Sequence, residues 1–577
     1  MPLETPLRRT TSACGKPDGM MPPADGTSSR ERRFGWGEQF AISITSDDVV
    51  DGQPASHMTF RAMKVAHVES VAQVVAVGRR EPHTHILASV AGAALLAAML
   101  CFPASAQSPQ RGSQGSTPDM SATGPAGWFW TFEEWRPTLS SSDGRFTMSF
   151  RGRLQFDAGW FDQSQDVGNV TPERDVEFKD LRSGTMIRRA YLGVEGRAFG
   201  DFSYEYRMDF GETRSFLTNP IINLARVSYN VGDVANLGES HFRIDAGLIR
   251  PIFTYEDSTS SAALIFLERA DVVNVATTGY GGGTPRLGFQ LIFQAPDNLH
   301  PGDNLVVSGA LTGQNHVSNN TAFPSNATFE GTQILGRIAY RLPIGDFDGI
   351  QVGANASRIL SVAESAAADG VRTMTLQDFP EIRVDGNPLV STGRVPAKGG
   401  SLWGMEAAGN IRSVYISGEF YEFVVDRASN CAGCAGLGDP RFSGWYVTAS
   451  WVLTGERRIY QPSAANNSFA TFGNPRLATA FSFNHQDWGA WEVAARYSDL
   501  DLNWHAGAPQ TTCAGALVGC IRGGEEKIWT FGLNWYLSNN VRMQFDYMAI
   551  DVNKLNASGQ QVGQVLGAIG TRLQLTN

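Results

Sequence analysis

Between Phe146 and Asp162 the chain reads Phe-Thr-Met-Ser-Phe-Arg-Gly-Arg-Leu-Gln-Phe-Asp-Ala-Gly-Trp-Phe-Asp. Phe146, Met148, Phe150, Leu154, Phe156 and Trp160 fall on one face, and Ser149, Arg151, Arg153, Gln155 and Asp157 on the other, because successive side chains of a strand point to opposite sides. A half-buried strand of a soluble sheet alternates as well. This run, however, covers the ~9–11 residues that a tilted strand needs to cross a bilayer, with some overhang. If its apolar face meets lipid, the arginines line a water-filled lumen. The same pattern recurs down the chain, which predicts a membrane-spanning β-barrel.

Composition agrees with strands rather than helices. Charged residues make up only 18% of the 577, aromatics reach 10%, and there are 62 glycines. No apolar run after Phe102 is long enough for a membrane helix. The formal net charge of −10 argues against non-specific nucleic-acid binding. It says little about a pore, whose lumen can differ in sign from its loops.

Ile86–Phe102 is an apolar stretch preceded by Arg79 and Arg80 and followed by Pro103-Ala-Ser-Ala106-Gln107. A basic flank, an apolar core and an Ala-x-Ala site predict a secretory signal peptide within residues 63–106, cut after Ala106. A single transmembrane anchor is the competing reading, and the run is short for a span. Residues 1–62 are polar, rich in Gly, Pro and Ser, and without periodicity. They read as a non-native or disordered extension, with translation starting at Met58, Met63 or a non-Met codon nearer Arg79. Residues 107–144 read as a periplasmic linker carrying the aromatic cluster Trp128, Phe129, Trp130 and Trp135. Cys431 and Cys434 share one Gly/Ala-rich loop, and Cys513 and Cys520 share another; in an exported protein each pair predicts a local disulfide. No His or Cys stands close enough in sequence to complete a zinc site.

The domain at 145–577 is expected to hold sixteen strands. After the first come strands around 186–197, 202–210, 225–231 and 242–248, then others near 286–295, 304–313, 332–342, 350–360, 401–410, 413–426, 442–454, 489–503, 526–537, 541–551 and 563–575. Connections 251–285, 314–331, 361–400, 427–441 and 504–525 are long, whereas 409–412 and 538–540 are tight. Long loops at one end and short turns at the other are the mark of an outer-membrane barrel. The connection 456–488 breaks the alternation, and an extra strand near Leu477–Phe483 would fit it, but single-chain bacterial barrels keep an even number.

On the inner phase of the early strands stand Arg151, Arg153, Arg189, Arg197, Arg207, Arg226, Arg243, Arg286, Arg337 and Arg341, against Asp157, Glu195, Glu205, Asp209 and Asp245. Guanidinium stays charged and offers a forked donor set suited to oxyanions, and rings of Arg or Lys are what anion pores use. Pairing with the lumenal carboxylates, to brace the wall, is the alternative role for each arginine.

Several segments together resemble the phosphate-selective porin O/P family of Gram-negative bacteria: Gly152-Arg-Leu-Gln-Phe156, Ile187-Arg-Arg-Ala-Tyr-Leu192, Asp209-Phe-Gly211, Thr259-Ser-Ser261 with Leu267-Glu-Arg269, Leu453-Thr-Gly-Glu456, Gly489-Ala-Trp-Glu-Val-Ala-Ala-Arg-Tyr497 and Leu533-Asn-Trp-Tyr536. They occur in this order over 145–577. The resemblance implies a homotrimer of sixteen-stranded antiparallel barrels in the bacterial outer membrane, with the third long loop, here about 251–285, folded inward to form the constriction. It places Arg153, Arg188, Arg189 and Arg269 near the narrowest part. Alternation alone would set Arg188 and Arg189 on opposite faces, so bringing both inward requires a bulge or strand end.

The chain departs from the family twice. Phosphate-specific members carry a lysine shortly before the Thr-Ser-Ser stretch, where this chain has Tyr255-Glu-Asp-Ser258. Carboxylates at an anion constriction would repel the solute. The last residue, Asn577, is polar where these barrels usually end in an aromatic.

These observations point to passive diffusion of small anions, phosphate or related oxyanions. The pore set is Arg151, Arg153, Arg188, Arg189, Arg207, Arg226, Arg269, Glu256, Asp257, Ser260 and Ser261, and the expected partners are outer-membrane lipids and the anions. A general porin offset by Glu256 and Asp257, or a structural or adhesive barrel, are the alternatives. No nucleophile elbow, zinc-binding His pair or Gly-rich phosphate cradle is present, so neither an enzyme nor a cofactor or metal is expected. Asp499 and Asp501, which could mimic a glycosidase pair, read as lumenal or turn residues.

Overall fold

The computed structural model describes residues 127–133, 135–163, 180–211, 221–231, 241–281, 285–315, 331–345, 347–362, 372–428, 436–463, 469–509 and 519–577. The expected extension, the signal peptide, Cys431, Cys434 and Cys513 lie outside these residues. Cys520 is disulfide-bonded.

Sixteen antiparallel strands close into a barrel. A short hairpin, β1 (Trp128–Glu133) and β2 (Arg136–Ser141), leads into β3 (Thr147–Gln163), β4 (Gly184–Ala198), β5 (Phe202–Asp209), β6 (Ile221–Val231) and β7 (His241–Ile249). The third long loop carries helices α1 (Tyr255–Ser258) and α2 (Asp271–Tyr280), the latter ending at Gly281 with φ 98°, a conformation that costs glycine little. Then come β8 (Arg286–Pro296), β9 (Asn304–Asn315), β10 (Thr332–Ile344) and β11 (Asp348–Ser361). The fifth long loop holds β12 (Thr373–Met374), β13 (Gln377–Asp378) and β14 (Val390–Ser391) before β15 (Val395–Ile411), β16 (Val414–Arg427) and β17 (Arg441–Val452). The hairpin β18 (Arg458–Ser463) and β19 (Phe469–Pro475) precedes β20 (Ala490–Trp504), β21 (Ile521–Tyr536), β22 (Val541–Asn553) and β23 (Val565–Thr576).

Each wall strand pairs with the next, and β23 returns to β3, Gly570 opposite Gly159 and Thr576 opposite Arg153. Closure leaves the sixteen-strand wall without an unpaired edge, as hydrocarbon demands. The outer face is a band of exposed apolar residues at alternate positions, such as Ile334, Ile338 and Leu342 on β10 or Trp445, Val447 and Trp451 on β17. Their neighbours Gln333, Arg337, Arg341 and Tyr446, Thr448, Ser450 point inward and are buried.

All sixteen expected strands are present, most of them longer than the alternation indicated. The exceptional connection after β17 differs from expectation: its strands are 458–463 and 469–475, not 477–483, and they stand outside the barrel ladder. The expected linker is also shorter, since residues 128–141 form the β1–β2 hairpin, whose Thr138–Ser140 pair with Ser149–Thr147. Asp499 and Asp501 alternate with buried Ser498, Leu500 and Leu502, so they stand on the outer side of β20 rather than in the lumen.

The lumen is filled from both ends. The third loop crosses it and ties its carbonyls to the far wall: Gln574 Nε2 donates to Ala262 O (3.0 Å), Asn534 Nδ2 to Ile265 O (3.0 Å) and Arg572 Nη1 to Leu267 O (2.5 Å). The fifth loop inserts Ile382 and Val384 at the Gly159–Gly570 pair, where a Cβ on Gly159 would stand 2.3 Å from Ile382 Cδ1. Glycine inside a strand marks such close approach. At the short-turn end, β18–β19 turns inward; Arg337 donates to the carbonyls of Phe469 (2.8 Å) and Ala470 (3.0 Å). Around α2 the interior is an apolar core that includes Phe253, Val272, Tyr280, Leu376, Ile382, Tyr421 and Phe423.

Candidate functional site

The lumenal surface of β3–β7 and the third loop hold most of the expected pore residues. Along β3 and β4 the ladder runs Gln155 opposite Arg189 and then Phe156 opposite Ile187, so Arg188 is the extra residue of a bulge. The bulge lets both guanidiniums face inward. Arg188 grips Glu268 of the third loop through Nε (2.6 Å) and Nη2 (2.8 Å), while Arg189 lies 3.9 Å from the same carboxylate and donates to Gln155 Oε1 (2.8 Å). Arg572 on β23 joins them, 3.0 Å from Glu268, and is itself bidentate to Asp157 at 2.7 Å. Burial raises the Glu268 carboxyl, but Arg188, Arg189 and Arg572 override that and hold it well below the usual carboxylate range.

Glu256 and Asp257 lie in α1, and both are engaged. Thr254 caps the turn, its Oγ1 accepting from the Asp257 N–H at 3.0 Å. Asp257 pairs with Arg250 (2.6 Å) and Arg269 (3.4 Å). Glu256 meets Arg496 of β20 (3.2 Å) and accepts from the Ala270 N–H (2.9 Å). Arg269 spends its remaining donors on the carbonyls of Glu256 and Thr259. The acidic pair therefore shapes the loop, and Arg269 is a brace within it.

Arg151 pairs with Glu195 at 2.5 Å. Arg226 bridges Glu205 (2.9 Å) and Asp245 (3.5 Å), and Arg207 lies 3.5 Å from Glu205 while donating to Asn223 Oδ1 at 2.9 Å. Arg153 differs. Its Nη1 donates to Ser261 Oγ (2.6 Å) and its Nη2 to Ser260 Oγ (3.1 Å), it makes no ion pair among the described residues, and its Nε has no partner. Tyr191 lies between Arg153 and Arg207, with guanidinium carbons 5.3 and 4.7 Å from its ring centre. Arg153, Arg207, Arg250 and the Asp257–Ser261 segment line one narrow cleft, three guanidiniums against the Asp257 carboxylate, into which Ser258 brings a hydroxyl without a hydrogen-bond partner. A donor-rich cleft with its charge only partly neutralised favours an anion.

Arg286, the first residue of β8 at the long-loop end, also lacks an ion pair among the described residues; its guanidinium donates to the Gly313 carbonyl at 3.5 Å. With Thr278, Thr332, Gln333 and Thr373 it lines a cavity of about 150 Å³. Elsewhere the sign reverses. Asp271, Asp378 and Glu526 are buried carboxylates with unpartnered oxygens. Burial, then Glu526, Asp378 and Glu381, push the Asp271 carboxyl well above its ordinary range. No group of three or more His, Cys, Asp or Glu among the described residues could hold a metal ion.

Sequence reasoning missed Glu268, Arg250, Arg572 and the lumenal hairpin β18–β19. Glu268 lies in the Leu267-Glu-Arg269 motif beside Arg269, and a lone carboxylate in a loop carries no periodicity that would mark its partners. The inward phase of Arg572 was legible from its alternation with Leu573 and Leu575.

A profile of the family described as phosphate-selective porin O and P matches residues 162–576. The chain is 23% identical to Porin O of Pseudomonas aeruginosa over 466 residues, covering 76% of this chain and 90% of that one. It is also 23% identical to an uncharacterized protein of Caulobacter vibrioides over 424 residues, 72% of this chain and 71% of the other. Among solved structures, an anion-selective porin from Comamonas acidovorans aligns with TM-score 0.41 at 13% identity, covering 75% of this chain and all of that one. OmpT of Vibrio cholerae aligns with TM-score 0.40 at 10% identity, over 75% of this chain and 99% of that one.

Proposed function

From the premise that the chain belongs to the phosphate-selective porin O and P family and is an outer-membrane porin, we propose that it conducts small anions, phosphate or related oxyanions, by passive diffusion past the Arg153 cleft. The observation that carries this reading is Arg153 itself, held by two serine hydroxyls with no carboxylate partner among the described residues, while Glu256 and Asp257 are consumed by Arg496, Arg250 and Arg269. An arginine fixed by neutral acceptors keeps its charge available to a passing anion. Arg286 offers a second such charge at the long-loop end. The protein is a conduit rather than an enzyme, and it works as a homotrimer.

A general, weakly selective porin is the second reading, and the buried carboxylates of Asp271, Asp378 and Glu526, whose hydrogen bonding is incomplete, favour it. Reversal potentials in planar bilayers separate the two. Anion transport requires chloride to permeate better than potassium, with added phosphate reducing the chloride current. Preference for potassium, with no phosphate block, refutes the anion reading; a folded trimer without conductance leaves a structural or adhesive barrel.

A further inference from the structure

The hairpin β1–β2 carries large exposed aromatics ahead of the barrel. Trp128, Trp130, Phe132 and Trp135 are each more than half exposed, Phe132 and Trp135 about three-quarters so. Its place follows from register. Thr576, the last residue of β23, pairs with Arg153, whereas β3 begins at Thr147, so the C-terminal strand leaves a step at the short-turn rim. There β2 takes over the edge of β3, Leu139 lying opposite Met148, and β1 follows it, Trp130 opposite Leu139. Trp130, Leu139 and Met148 therefore lie in one row on one face, which is the lipid face of the barrel. Ring contacts confirm that phase: Trp130 stacks on Phe150 at 6.3 Å, and Trp128 lies 6.4 Å from Phe146. The opposite face keeps the lumenal phase, with Arg136 reaching the lumenal Glu195 at 3.6 Å. Asn577 holds the arrangement, accepting from Gly152 N (2.6 Å) and donating to the Trp135 carbonyl (3.3 Å).

From this continuity we propose that the β1–β2 hairpin is a lipid-binding flap. The face bearing Trp128, Trp130 and Phe132 seats in the periplasm-facing leaflet of the outer membrane, at the boundary of phospholipid headgroups and acyl chains. The chemistry fits that boundary: Trp combines a large apolar body with a polar N–H and concentrates at membrane–water interfaces. The outward row carries no charged side chain, and neighbouring Phe146 and Phe199, in contact at 5.0 Å, continue the aromatic rim. The proposal rests on the outer-membrane location alone and is independent of ion selectivity.

The test places the photoreactive analogue p-benzoylphenylalanine at Phe132 or, as the opposite-face control, at Phe129, in the full chain reconstituted in phospholipid vesicles. Only heat-modifiable, folded protein is scored. A phospholipid adduct at position 132 and none at 129 is expected. Crosslinking of position 132 to a second copy of the chain, or equal lipid labelling at both positions, overturns the proposal. A Trp128→Ser/Trp130→Ser chain supplies a second readout: the share of tryptophan emission quenched by brominated phospholipid falls if the flap is seated, and an unchanged share refutes it.

Discussion

Replacing Arg153 by alanine removes the one cleft arginine without a carboxylate partner among the described residues and leaves Arg207 and Arg250 with theirs. A unit charge about 4 Å from a passing anion contributes about 1 kcal/mol at the dielectric of water and about 4 kcal/mol at an effective constant near 20. A difference of about 1.4 kcal/mol is tenfold, so the smaller figure already corresponds to a loss of about fivefold in anion-over-cation permeability. The assay is the reversal potential across a bilayer under an about tenfold potassium chloride gradient. Arg153→Lys separates charge from geometry: it retains the cation but cannot hold both serine hydroxyls as a planar fork does. It should therefore keep most of the chloride preference while losing phosphate block. If Arg153→Ala channels show a permeability ratio within twofold of the parent, the residue does not face the conducting path, and the cleft is a wall brace.

Glu268→Gln removes the carboxylate that Arg188 grips at 2.6 Å, whereas Arg572 retains Asp157. Breaking a buried pair typically costs about 3–5 kcal/mol, so hydrogen exchange in the third loop should accelerate markedly while anion preference rises. Unaltered exchange would refute the clamp. Burial, seconded by Glu381 and opposed by Arg383, pushes the Asp378 carboxyl in the fifth loop up to about 7. A carboxyl raised on folding stabilises the folded form fully below its unfolded pKa and loses that contribution as pH rises to its folded value. Protection of the fifth loop should accordingly fall between about pH 4 and pH 7, and Asp378→Asn should flatten that dependence; a protection that grows with pH contradicts it.

The barrel wall was legible because lipid outside and water inside impose one simple rule. Every second residue is apolar wherever a strand crosses, and turns interrupt it. Strands were found but cut short, as at β15, which begins at Val395 rather than 401, because near the long-loop end the inward face packs against loops and turns apolar. There the alternation fades although the ladder continues. The β1–β2 hairpin was overlooked for a related reason: Trp128, Phe129 and Trp130 run consecutively, and such a run has no period of two.

What fills the lumen was far less legible, because the partner of an inward arginine is chosen by loops remote in sequence. Arg188 is opposed by Glu268, Arg496 by Glu256 and Glu381, and Arg458 by Glu492. Nothing in the alternation separates these from Arg153, whose partners are hydroxyls. One signal did exist. Gly159, Gly444, Gly532 and Gly570 occupy inward positions, and a Cβ at each would come within 3.0 Å of Ile382, Val272, Phe266 or Leu267. A lumen open to water has no steric need for glycine on its wall. These four inward glycines therefore mark where loops press against the barrel, and on the proposed reading it is Arg153, held by the hydroxyls of Ser260 and Ser261, that is left to face the solute.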